Sequence, residues 1–224
     1  MYQAFIFDVD GTLIDSNESH AQAWTKAFAA DGIAVPPEKI LPHMGRGADQ
    51  LLPFFLDKKE IDAVGKRLGG VSGEIFKREY LPHVQPFPKV RELFQAIRAT
   101  GARIALASSS SADEIKYYRT LAQIDDLVEK AASADDARST KPQPDILLAA
   151  LEQLGNPPLD SVVMIGDSPY DAIAAKKAGI ASIGVLCGGF PETVLKESGF
   201  RQLYQDPADL LAHLNKIVHP RSHG

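Results

Sequence analysis

The chain reads as an α/β fold, with a Rossmann-like parallel sheet core that carries an inserted all-helical cap domain. Short apolar runs recur at Ala4 to Val9, Ala102 to Ser108, Ser161 to Asp167 and Ala181 to Leu186. Each lies beside an amphipathic helical pattern, as right-handed crossovers onto a buried parallel sheet require. The alternation breaks between about Asp15 and Val84, where helical patterns follow one another without a convincing strand. The expected organisation is an α/β core at 1–15 and 85–218, a helical cap at 16–84 and a frayed tail at 219–224.

The first run ends in Phe7-Asp8-Val9-Asp10-Gly11-Thr12-Leu13. Residues two apart in an extended chain share a side, so Asp8 and Asp10 face one spot while Val9 faces away. Two carboxylates that close repel and lose water as the strand buries, so they require a cation, a shared proton or solvent. Taken alone, the heptad is equally a strand that ends in a polar Asp-Gly turn.

The helical stretch comes next, with Ala23, Trp24, Ala27 and Phe28 on one helix face. Pro82, Pro86 and Pro88 mark the return to the core at Lys89 to Thr100. An insert that directly follows strand-end carboxylates can close over them and exclude water. Further on, Ser111-Ala112-Asp113-Glu114 has capping-box spacing, and Asp206-Pro207 reads as an N-cap followed by a first-turn proline. Gly101, Gly155, Gly179 and Gly199 fall where helices should stop.

Composition narrows the function. The chain has 224 residues, 45% hydrophobic and 24% charged, enough for one full core and an appendage. A net charge of −5 without any Lys/Arg block offers no footprint for nucleic acid or an anionic membrane. The single cysteine, Cys187, excludes an internal disulfide and a cysteine-built metal site, which fits a reducing compartment. No apolar run exceeds a strand and Met1-Tyr2-Gln3 lacks a basic start, so a cytoplasmic protein is expected, with a monomer as the default state.

Ligands of doubly wound sheets bind beyond the carboxyl ends of the strands, so the residues there are read together. They are Asp8 and Asp10; Ser108 and Ser109; Lys141 in Thr140-Lys141-Pro142-Gln143-Pro144; and Asp167 and Asp171 in Gly166-Asp167-Ser168-Pro169-Tyr170-Asp171. Singly, each has a structural reading: serines and aspartates cap helices, and loop lysines are usually solvated. As a set they suit Mg²⁺ and phosphate, because Mg²⁺ favours a few carboxylates together with water and phosphate oxygens. Asp8 and Asp167 offer carboxylates to the ion, Asp171 orients a bound water, Lys141 offsets phosphoryl charge, and Ser108 with nearby backbone N–H groups binds the oxygens.

In this arrangement the chain resembles the haloacid dehalogenase-like hydrolases over nearly its whole length. Asp8, Asp10 and Thr12 match the family's Asp-x-Asp-x-Thr, Ser108 its strand-end Ser/Thr, Lys141 its lysine, and Gly166, Asp167 and Asp171 its Gly-Asp-x-x-x-Asp. The helical insert after the first motif is similar to the cap of the subgroup that includes phosphoglycolate phosphatases and β-phosphoglucomutases. The resemblance implies that Asp8 attacks phosphorus to form an aspartyl phosphate, and that Asp10 protonates the leaving oxygen and later deprotonates water, a role that needs a raised pKa. It implies Mg²⁺ on Asp8, the Asp10 carbonyl, Asp167 and Asp171, and a phosphate among Val9, Asp10, Ser108, Ser109 and Lys141. Gly11 would let the chain turn, and Thr12 would steady that turn.

Asp10 favours phosphate over halide or phosphonate chemistry, since relatives of those kinds replace it. The competing reading is a β-phosphoglucomutase-like mutase, suggested by His20 and Trp24. Ser111 stands where the mutase carries the lysine for a second phosphate, which favours hydrolysis unless a cap lysine such as Lys77 substitutes. His20, and Arg46 in His43-Met44-Gly45-Arg46-Gly47, are the candidate cap contacts to substrate. Lys89 occupies a place where relatives commonly have glycine, which bears on the hinge. A phospho-accepting receiver module shares the Asp, Ser/Thr and Lys set but needs neither the cap nor Asp10. The expected substrate is a small phosphorylated metabolite.

Overall fold

The computed structural model describes residues 1–218, so the tail expected at 219–224 lies outside the described residues. The chain runs β1 (Ala4–Phe7), β2 (Ile14–Asp15), α1 (Asn17–Ala30), α2 (Pro37–Ile40), α3 (Ala48–Leu51), α4 (Lys58–Glu60), α5 (Lys66–Ile75), β3 (Gln85–Pro86) and α6 (Val90–Ala99). It continues through β4 (Arg103–Ala107), α7 (Ala112–Leu121), β5 (Lys130–Ala132), α8 (Asp145–Gln153), β6 (Val162–Gly166), α9 (Pro169–Ala178) and β7 (Ala181–Val185). The last elements are α10 (Glu192–Ser198), β8 (Leu203–Tyr204), α11 (Pro207–Ala212) and α12 (Leu214–Val218).

The main sheet is parallel throughout, in the order β5-β4-β1-β6-β7-β8. The four expected strands are β1, β4, β6 and β7. The edge strands β5 and β8 are additional, and at three and two residues they are too short to announce themselves as apolar runs. Every residue of β1 and β6 is buried, because helices cover both faces. Phe5, Phe7, Ile104, Leu106, Val163 and Ile165 fill one face, continuous with a core that reaches Trp24, Phe28 and Phe76. Ala4, Ile6, Ala105, Ala107, Val162 and Met164 pack on the other against Ile146, Leu147 and Ala150 of α8 and Ala174, Ala175 and Ala178 of α9.

Because β1 has β4 on one side and β6 on the other, the chain reverses its direction of travel across the sheet at β1. This is the switch point at which doubly wound sheets leave a crevice. Between β2 and β3 the described residues form only helices and turns. Ile14 pairs antiparallel with Pro86 and Asp15 with Gln85, so a two-stranded ribbon joins the insert to the sheet domain at both ends.

Helix ends follow their residue chemistry. Ser111 and Glu114 form the expected capping box, and Asp206 accepts from Asp209 N at 2.9 Å. Gly101, Gly155, Gly179 and Gly199 all adopt positive φ after helices. Ala23, Trp24, Ala27 and Phe28 are buried together on α1.

Candidate active site

Three neighbouring strand ends deliver polar residues to one place. Asp8 follows β1, Asp167 follows β6, and Ser108 follows β4 on the other flank of β1. Lys141 arrives from the loop between β5 and α8, and Asp171 from the first turn of α9. One oxygen from each of Asp8, Asp167 and Asp171 lies within 4.8 Å of the other two, and all three residues are buried.

Lys141 is completely buried and lies 2.5 Å from Asp8 Oδ1 and 2.8 Å from Asp171 Oδ1. Burial alone would lower its pKa, but Asp171 and Asp8 reverse that and hold the ammonium above its ordinary value. One ammonium among three carboxylates leaves an excess of buried negative charge. Burial raises Asp8 well above the ordinary carboxylate range, with Lys141 opposing and Asp171 and Asp167 adding to the rise. Burial and the Asp171 charge likewise push Asp167 up to about 7, although Thr12 and Asn17 donate to it.

Asp8 Oδ2 is buried with no hydrogen-bond partner. An orphaned carboxylate oxygen amid excess negative charge, with only hard oxygen donors converging on it, fits a divalent cation such as Mg²⁺. Thr12 Oγ1 donates to Asp167 Oδ1 and Asn17 Nδ2 to Asp167 Oδ2, both at 2.9 Å. Thr12 therefore steadies the far carboxylate across the sheet, beyond its expected part in the turn. Asp171 Oδ2 accepts from Ser168 N at 3.0 Å and Ser168 Oγ at 2.6 Å, the capping box of α9, which leaves Oδ1 for Lys141.

The Asp10 carboxylate stands apart from this triad. Ser16 Oγ donates to Oδ1 at 2.6 Å, Ser110 Oγ donates to Oδ2 at 2.6 Å, and His20 Nε2 lies 3.0 Å from Oδ1. The raised pKa expected for Asp10 is corrected here. Burial pushes it up, but the His20 charge and the hydrogen bonds from His20, Ser110 and Ser16 outweigh burial and hold it well below the carboxylate range. Burial lowers His20, and Asp10 more than compensates, so the imidazole pKa is raised. The two shifts run in the direction of an imidazolium–carboxylate pair.

A cavity of about 170 Å³ opens in front of these groups, with Asp8, Asp10 and Ser108 on its floor and His20, Trp24 and Arg46 among its cap residues. His20 stacks on Phe76, with ring centroids 3.7 Å apart, and has the Tyr118 hydroxyl at 3.3 Å. The Arg46 guanidinium lies 3.8 Å from the Tyr170 ring centre and 4.6 Å from that of Phe54, and its Nε is buried without a partner. Lys77 is exposed and lines no part of the cavity, so it does not replace the charge missing at Ser111.

Of the residues expected around a phosphate, Val9 packs its side chain in the core while its carbonyl accepts from Leu13 N at 2.8 Å. Ser108 Oγ accepts from Ser110 N at 3.0 Å and lies 3.5 Å from Asp10 Oδ2. The Ser109 hydroxyl turns to the cap and donates to Gly45 O at 3.2 Å. Sequence reasoning missed Ser16, Asn17 and Ser110. The hydroxyl and amide residues beside the first and second motifs were the available signal.

The family model for haloacid dehalogenase-like hydrolases matches residues 5–185. The chain belongs to this family. A phosphoglycolate phosphatase of Colwellia psychrerythraea is 31% identical over 195 residues, covering 83% of this chain and 85% of its own. A hydrolase from Pseudomonas syringae superposes with a TM-score of 0.88 at 29% identity, over 96% of this chain and 99% of its own. CbbY from Rhodobacter sphaeroides, solved in complex with phosphate, superposes with a TM-score of 0.75 at 25% identity, over 96% and 100% of the two chains. This member of the haloacid dehalogenase-like hydrolases is an enzyme, a phosphatase. Among its described residues no helix is long and apolar enough to cross a membrane.

Proposed function

We propose that the chain is a Mg²⁺-dependent phosphatase of small phosphorylated metabolites that works through an aspartyl phosphate on Asp8. The observation that carries this reading is the Asp8 carboxylate itself. It is fully enclosed, anchored through Oδ1 to Lys141, with Oδ2 free of any protein donor at the floor of the cavity. A carboxylate so held is fixed in orientation, which suits it to attack phosphorus with one oxygen while the other stays with the cation.

Asp8, Asp167 and Asp171, with the Asp10 carbonyl, would hold Mg²⁺, whose charge would offset the repulsion between a phosphate and the nucleophile. The remaining work falls to side chains. Lys141 holds Asp8 in line and neutralises part of the charge. When the P–O bond to the leaving group breaks, the departing oxygen takes a proton that His20 Nε2 passes across 3.0 Å to Asp10 and that Asp10 hands on. In the second step Asp10 accepts a proton from the attacking water, which restores the shared proton as the acyl phosphate is cleaved. Ser16 and Ser110 keep the Asp10 carboxylate from rotating.

The size of the cavity supports a small leaving group: at roughly 10–15 Å³ per water position it accommodates about a dozen atoms. The mutase reading receives less support. Ser111 is occupied as the cap of α7, and beside it on the cavity wall sits the Glu114 carboxyl, where the mutase reading needs a cation. The receiver reading has no use for Asp10, His20 or the cap.

The test is phosphate release from sugar phosphates, short phosphorylated acids and nucleotides with Mg²⁺, alongside conversion of glucose 1-phosphate isomers. Multiple turnovers are expected, and Asp8→Asn should reduce kcat by at least about 10³-fold with the fold preserved. Near-normal turnover in that variant would refute the nucleophile, and a burst that stops after one equivalent would favour the receiver.

A further inference from the structure

Three core side chains grip the cap, and each is the immediate neighbour of a residue from the motif set. Ser109, next to Ser108, donates to Gly45 O at 3.2 Å. Thr140, next to Lys141, accepts from Gly47 N at 2.9 Å, donates its hydroxyl to Asp49 Oδ1, and gives its backbone N–H to Asp49 Oδ2 at 3.1 Å. Tyr170, next to Asp171, donates its hydroxyl to Pro42 O and stacks under Arg46. Thr140 and Tyr170 are both buried beneath the cap loop 42–49.

We propose that Ser109, Thr140 and Tyr170 are positioning residues that seat the cap loop 42–49 on the core, so that closure over the cavity and alignment of the neighbouring motif residues occur together. This rests on the phosphatase reading for its catalytic half only. The fit of the loop is close. A Cβ on Gly47 would meet Thr140 Cγ2 at 2.4 Å, and one on Gly45 would meet Ser168 Oγ at 2.6 Å. Gly47 has φ −81, so its own backbone tolerates alanine and the nearest obstacle is the Thr140 side chain. The three grips attach at 42, 45 and 47–49, and so fix the loop against both sliding and rotation. A loop held at one point could pivot, whereas three contacts from separate segments beyond the strand ends define one seated pose. The motif residues feel that pose through a single peptide unit each.

The single tryptophan supplies a reporter, because Trp24 lies in the cap, is largely buried, and lines the cavity. Thr140→Val keeps the shape and deletes both hydroxyl bonds, Tyr170→Phe keeps the ring under Arg46, and Gly47→Ala pries the loop up with every partner intact. Each variant should raise acrylamide quenching of Trp24 by about twofold and lower kcat on p-nitrophenyl phosphate by about tenfold, with an unchanged far-UV spectrum. Thr140→Ser, which restores the hydroxyl, should return both readouts to the wild-type level.

Wild-type quenching and kcat in all three variants would overturn the proposal. So would lost activity with unchanged quenching, which would make Thr140 a local prop for Lys141, or increased quenching with full activity. If Thr140→Val fails to fold, Tyr170→Phe and Gly47→Ala carry the same prediction. An inactive wild type would sink the phosphatase reading while leaving the quenching comparison able to support or reject the clamp.

Discussion

Four consecutive serines, Ser108 to Ser111, illustrate how far residue identity underdetermines role. Ser108 accepts from Ser110 N, Ser109 holds the cap through Gly45 O, Ser110 donates to Asp10, and Ser111 caps α7. Their chemistry is the same, and only position relative to the end of β4 separates them. The contrast is measurable. Ser111→Ala should cost about 1 kcal/mol of stability, a Tm drop of roughly 2–4 °C, while kcat stays near wild type. Ser110→Ala removes a donor to a charged group, a loss of about 1.5 kcal/mol that should appear as a roughly tenfold fall in kcat with little change in Tm. Exchange of these two outcomes would overturn both assignments. At the same scale His20 replaces an expectation: a raised Asp10 pKa was the simple way to keep a proton at the site, and the His20 contact instead lowers Asp10 and raises the imidazole.

At the scale of elements, strands were legible where burial on both faces demanded continuous apolar runs, as in β1, β4, β6 and β7. β5 (Lys-Ala-Ala) and β8 (Leu-Tyr) were not, since a short edge strand has too few residues to show a period. Capping was legible because it depends on neighbours three residues apart, as Ser111 with Glu114 and Asp206 with Asp209 show. The start of α6 carries a local conflict. Lys89 precedes it in the left-handed region at φ 67, where a Cβ is crowded by the backbone. Its ion pair with Glu92 is exposed and contributes little. Lys89→Gly should relieve about 1 kcal/mol of strain and return part of that through a freer unfolded chain, for a net gain of about 0.5 kcal/mol. A urea midpoint that moves down instead would show that Lys89 is not strained.

For the whole molecule, the sheet order brings residues 8, 108 and 167 to adjacent strand ends, and the ribbon of β2 and β3 returns the inserted helices above them. Under the proposed Mg²⁺ reading, the three buried carboxylates would couple stability to a bound cation. Addition of Mg²⁺ at about a hundred times its Kd should stabilise the fold by about 2.7 kcal/mol, and removal by chelation should reverse this. For a chain of this size that corresponds to a Tm rise of roughly 5–10 °C. Asp167→Asn should abolish the rise, and a Tm indifferent to Mg²⁺ in the wild type would argue against a resident metal on the triad.

By itself the sequence determined the α/β class, the helical insert, the helix caps and the placement of Asp8, Asp10, Ser108, Lys141, Asp167 and Asp171 at one end of the sheet. These follow from local periodicity, short-range capping and strand-end placement, all of which are written in neighbouring residues. Only the tertiary structure decided that Asp10 belongs with His20, Ser16 and Ser110, that Thr12 and Asn17 hold Asp167, and that Ser109 faces the cap. Those pairings join residues whose separation along the chain carries no periodic signal, and they exist only once packing fixes which side chains share a buried, weakly screened volume.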